Sequence, residues 1–107
     1  MNMDNSKLQH ICNTIVNSNK QQRLGYFHFI DTKTAKYIRE IAVNILINDS
    51  FEFTDKEKQY LKRKLGHIRQ IASRYTSIYK KREIFVAQHL LLKKLAAITL
   101  RHISDSE

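Results

Sequence analysis

The side chains able to do covalent, acid–base or metal chemistry are few in this chain and poorly grouped. The five histidines, His10, His28, His67, His89 and His102, stand at none of the short spacings of a zinc site, and the single cysteine, Cys12, cannot complete a thiolate-rich one. Cys12 falls on an apolar helical stripe, where a thiol serves as a small buried hydrophobe and not as a nucleophile. No glycine-rich phosphate loop is present, and no Ser, His and Asp set stands out as a triad. The carboxylates are few and sit mostly at helix starts, where they suit the local dipole. The expectation is a chain that is not an enzyme and uses no cofactor and no metal.

What the chain has in quantity is positive charge. Ten of its nineteen basic residues lie between Thr54 and Arg82: Lys56, Lys58, Lys62, Arg63, Lys64, Arg69, Arg74, Lys80, Lys81 and Arg82. Only Asp55 and Glu57 oppose them, so this stretch carries +8 of the net +9. No acid at all occurs between Lys58 and Arg82. Solvated helices ordinarily mix Glu with Lys at four-residue spacing, and unrelieved self-repulsion costs stability unless a partner neutralises it. The chemistry these ten residues suit is contact with the phosphates of DNA or RNA, without reading the bases. Tyr60, Tyr75 and Tyr79 are interleaved with them, and tyrosines stack on the bases of a single strand. Tyr60 and Tyr75 are read first as edge-of-core residues. The Lys62-Arg63-Lys64 and Lys80-Lys81-Arg82 clusters are also compatible with nuclear import, a short and common signal. Nothing has the form of a sequence reader, because the segment that would have to enter a groove is apolar.

The elements that must position this charge are helices. The chain has 107 residues, room for one domain, with no Pro and only Gly25 and Gly66. With so few breakers the expectation is an all-α, compact bundle of four to five helices with a long basic fourth helix and an apolar C-terminal helix. The first runs from Asp4 to Ser18 with a stripe of Leu8, Ile11, Cys12, Ile15 and Val16, capped by Asp4 or Ser6. A short second helix covers Lys20 to Ile30, and Asp31-Thr32 forms a turn and cap. The third, Lys33 to Ile47, is central, with a stripe of Ile38, Ile41, Ala42, Ile45 and Leu46 that Val43 and Ile47 widen. Thr54-Asp55-Lys56-Glu57 is a capping box, from which a helix runs to about Arg74 with Leu61, Leu65, Ile68, Ala72 and Tyr75 on one face.

Ser77 caps the last helix, Ile78 to about His102, which is apolar on almost every face from Ile84 to Leu100. Such a helix needs cover on two sides, and a small domain is expected to supply one. The expectation is therefore a homo-oligomer, or a capsid or scaffold contact, through Ile84, Leu91, Leu92, Leu95 and Ile98. Residues 103 to 107 read as a frayed polar tail. A third option lays residues 79 to 102 flat on an anionic membrane surface; Lys93 and Lys94 exclude spanning. The polar start of the chain reads as no secretory leader. The lone cysteine fits a reducing, intracellular setting, with the nucleus or a virion included.

The order of these features resembles a known pattern. An apolar helix (Ile41 to Leu46) is followed by the Thr54-Asp55-Lys56-Glu57-Lys58 start, then Leu61-Lys62-Arg63, Ile68-Arg69 and Ala72. Next come Ser77, the Lys80-Lys81-Arg82 cluster and Val86-Ala87-Gln88. Over residues 35 to 88 this resembles the small basic late protein of polinton-like and adintovirus-type elements, itself compared with the DNA-condensing core protein of adenoviruses. The resemblance implies a virion or mobile-element component that binds genome or capsid. Where that family continues with a Gly-rich apolar stretch, this chain has His89-Leu90-Leu91-Leu92-Lys93-Lys94.

Overall fold

A computed structural model describes residues 5–48 and 50–105, and all regular structure among them is helical. Seven helices follow one another: α1 (Asn5–Val16), α2 (Lys20–His28), α3 (Thr32–Ile47), α4 (Asp55–Arg63), α5 (Leu65–Ala72), α6 (Ile78–Ala87) and α7 (His89–Asp105). The all-α expectation holds, but the count of four to five does not. Both long C-terminal helices are broken in two.

The starts follow from local chemistry. Thr54 and Glu57 form the expected box: the Glu57 amide donates to Thr54 Oγ1 at 3.1 Å and the Thr54 amide donates to Glu57 Oε1 at 2.9 Å. Asp31 Oδ1 accepts from the Thr34 amide at 2.7 Å, and Ser77 Oγ accepts from the Lys80 amide at 3.2 Å. Asn19 starts α2. Its Oδ1 accepts from the Gln22 amide at 2.8 Å, and Gln22 Oε1 accepts from the Asn19 amide at 3.0 Å. Ser6 lies inside α1, and Asp4 lies outside the described residues.

Neither unforeseen break has a Pro or Gly at its centre. At Lys64 the backbone turns to φ −100°, ψ 9°, and its N–H is shared between Tyr60 O at 3.2 Å and Leu61 O at 3.1 Å. Past this tightened turn, Ile68 and Ile71 are both 1% exposed, and α5 lies against α3. At Gln88, φ −107° and ψ 30° make a second kink. The kinks separate elements with different packing partners: α5 lies against α3, α6 against α2, and α7 along α1.

The core draws on every helix. Helix α7 lies along α1 and also touches α2, α3 and α6. Leu91, Leu92, Leu95 and Ile98 are each 2% exposed or less, and Ile84 is half-buried. Of the five residues expected to meet a second copy or another protein, Leu91, Leu92, Leu95 and Ile98 are covered by the chain's own helices, and Ile84 keeps a partly exposed side. Four of the expected α3 stripe, Ile38, Ile41, Ala42 and Ile45, are buried, whereas Ile47 is exposed and widens nothing. Ile103 is buried and α7 continues to Asp105, so the frayed tail does not begin at 103; residues 106 and 107 lie outside the described residues. No described helix is long and apolar enough to cross a membrane.

Candidate nucleic-acid interface

The capping box that starts α4 also decides which way its lysines point. Glu57 and Leu61 are buried, so the basic residues are thrown to the two flanks of that line. On one flank, Lys56 and Arg63 line a cleft of about 410 Å³ together with Gln59, Tyr60 and Lys94 of α7. On the other, Lys58 and Lys62 rim a groove of about 240 Å³ whose walls include Ile45, Leu46, Phe53, Leu61 and Ile68. The cationic surface therefore wraps around α4 and does not form one flat face.

The ten expected contact residues separate into two kinds. Lys56, Lys58, Lys62, Arg63, Arg69, Arg74 and Lys80 are exposed; Lys64, Lys81 and Arg82 are half-buried. Among the described residues the ion pairs are Arg39–Glu40, Lys80–Glu83 and Arg101–Glu57, so Lys80 alone of the ten has a carboxylate partner, at 3.7 Å. Arg82 has a structural task. Its Nε donates to Ile30 O at 2.9 Å, tying α6 to the end of α2, and its guanidinium lies over the Tyr79 ring at 5.8 Å.

Three further basic side chains, which the block of residues 54–82 does not contain, lie near members of it. Lys94 comes from α7. Lys36 and Arg39 of α3 act on Lys81, whose pKa is lowered by burial first and by these two positive neighbours next. No local spacing links Lys36 to Lys81; only the α3–α6 contact does. Arg39 is partly neutralised by Glu40 at 2.8 Å.

The tyrosines also depart from expectation. Tyr60 is half-buried, as an edge-of-core residue should be, and burial raises its pKa. Tyr75 is not on the core edge: it is 96% exposed, in the bend between α5 and α6. That bend is held by the Ser73 hydroxyl, which accepts from the Tyr75 amide at 3.3 Å and from Thr76 Oγ1 at 3.2 Å. Tyr79 is 74% exposed.

Elsewhere the ionisable groups serve the fold. Burial pushes the Cys12 thiol up to about 12, so it stays protonated. Glu57 is pulled down to about 2, chiefly by Arg101. Both Arg101 Nη atoms donate to it at 2.8 Å, and Nη2 also donates to Glu52 O at 2.9 Å. His89 Nδ1 accepts from Arg23 Nε at 3.1 Å. Burial and then the charges of Arg23 and Lys20 lower its pKa. Among the described residues no group of three or more His, Cys, Asp and Glu side chains is placed to hold a metal ion. Comparison of the chain with protein-family models, with curated proteins and with solved structures found no match.

Proposed function

We propose that this is a non-enzymatic, nucleic-acid-associated helical protein that holds phosphates without reading base sequence. One observation carries the reading. Six exposed cations of the block, Lys56, Lys58, Lys62, Arg63, Arg69 and Arg74, have no carboxylate partner among the described residues. A polyanion relieves their mutual repulsion and releases its own counterions in doing so. The ordering of features over residues 35 to 88 adds a setting: a core or packaging component of a virus or mobile element. The rival reading, a capsid or scaffold module that closes on itself through α7, has less support, because Leu91, Leu92, Leu95 and Ile98 are covered within the chain.

The test is a salt titration of binding to duplex DNA, single-stranded DNA and RNA. Affinity is expected to fall steeply, with a log–log slope of about −0.9 per neutralised phosphate on duplex. Replacing Lys62, Arg63 and Lys64 by Gln together flattens that slope and weakens binding to all three. A flat salt response in the unaltered protein, or no binding at low salt, overturns the reading.

A further inference from the structure

We infer that the α5–α6 junction takes unpaired bases, so that the preferred ligand is a single strand; this rests on the phosphate-binding reading above. Tyr75 and Tyr79 stand four residues apart, 96% and 74% exposed, among Arg74, Lys80, Lys81 and Arg82. Folding makes little use of either ring. Aromatic faces set between cations are what a single strand engages, bases on the rings and phosphates on the charges.

The geometry at Tyr79 goes further than exposure. The residue stands at a cleft of about 490 Å³ shared with His28, Arg82, Glu83, Val86 and Ala87. Arg82 holds the ring from one face while itself anchored to Ile30 O, so the tyrosine is braced before any ligand arrives. Val86 and Ala87 supply an apolar lining for the flat side of a base. Glu83, whose side chain is 72% exposed, supplies an acceptor for an exocyclic amine, since its long 3.7 Å pair with Lys80 is easily exchanged. On the α2 side, Phe29, 79% exposed, meets His28 edge-on at 4.8 Å and extends the aromatic surface. A duplex keeps its bases paired and stacked on one another, and must unstack one to use this cleft. A single strand offers its bases freely.

The experiment compares the full chain with Tyr79→Ala on labelled oligo-dT, oligo-U and a duplex of equal length, at one salt concentration. Tyr79→Ala is expected to weaken both single strands about 5- to 150-fold and leave the duplex within about twofold. Tyr79→Trp is expected to keep the affinity. The natural chain has no Trp, so this indole is a sole reporter whose fluorescence is quenched by the single strand. Helical circular dichroism confirms that both variants fold, as an exposed position allows. Equal loss on duplex and single strand overturns the inference, and so does no loss on either, the result expected if the aromatic patch docks a protein. If the unaltered chain binds no nucleic acid, the phosphate reading fails first. If it binds all three with steep salt dependence and Tyr79→Ala changes nothing, only this inference fails.

Discussion

The seam between α4 and α7 and the junction between α5 and α6 treat charge in opposite ways. At the seam, Glu57 gives both oxygens to Arg101 at 2.8 Å, its side chain is 9% exposed, and the same guanidinium reaches Glu52 O. At the junction, Arg74 and Lys81 have no carboxylate partner among the described residues, and Tyr75 is left almost wholly in water. The chain has only ten acidic residues, and the one that is buried among the described residues, Glu57, serves the pair that ties the C-terminal helix down. Charge that the fold needs is matched at close range. At the junction, unmatched charge and unburied aromatic rings occur side by side.

The comparison breaks most directly if α7 is a contact surface after all. Leu95 is fully buried in the single chain. Leu95→Ala is therefore expected to cost about 2–5 kcal/mol of unfolding free energy in a denaturant titration, through lost burial and a residual cavity. Light scattering is expected to show the same molecular mass before and after. A fall in mass with little change in stability would return α7 to the role of an oligomer interface.

The seam is next in size. Glu57→Gln removes the carboxylate from the Glu57–Arg101 pair, and a loss of roughly 1–3 kcal/mol is expected; the exposed side of Arg101 keeps it from being larger. Because the folded pKa of Glu57 lies below its unfolded value, the stabilisation is fully present above pH 4.5 and is lost as pH falls toward 2. Thermal melts across that window should show a steep acid limb in the natural chain and a shallower one in Glu57→Gln. Equal limbs would mean that the pair contributes nothing.

This seam also marks the limit of what the sequence made legible. The Thr54–Glu57 box, the Ser77 cap and most of the Ile38 to Ile45 stripe are local patterns, and each was readable from residues within one or two turns. Arg101 was not, because its partner lies 44 residues away and nothing in its own neighbourhood points there. The same holds for Lys36 and Lys81. The kinks at Lys64 and Gln88 escaped for a different reason: neither residue is a Pro or Gly, and the elements on their far sides, α5 and α7, pack on the distant α3 and α1. The even apolarity of α7 was read correctly as a need for cover on several sides. Four other helices of the same chain, α1, α2, α3 and α6, supply much of that cover, which no local pattern announces.

A third way of holding charge lies between the two regions and gives a smaller effect. Arg23 is 3% exposed, and its partners are neutral: Nε donates to His89 Nδ1 and Nη1 donates to Ser18 O at 2.9 Å. The imidazole must be unprotonated at Nδ1 to accept. Since the folded pKa of His89 lies below its unfolded value, the unfolded state binds the proton more readily. Stability is then full above pH 6.5 and declines as pH falls through the folded pKa. His89→Gln, which retains an acceptor but does not titrate in this range, is expected to flatten the stability curve just below pH 6.5 and to leave the Glu57 limb unchanged. A curve already flat there in the natural chain would place the imidazole outside the stability balance.

The smallest effect on stability falls where the largest effect on binding is expected. Replacing Lys62, Arg63 and Lys64 by Gln removes three cations that hold no carboxylate, from the end of α4 and the turn after it. The unfolding free energy should move by less than about 1 kcal/mol, because relief of like-charge repulsion offsets the loss of two cations that suit the α4 C-terminus. At the seam the reverse is expected: Glu57→Gln lowers stability and leaves the salt slope of nucleic-acid binding where it was. Two variants that exchange effects in this way would separate the charge that folds the chain from the charge that faces a partner. A Lys62–Arg63–Lys64 variant that melted early would show that these side chains are held by the fold, and the distinction between seam and junction would go with it.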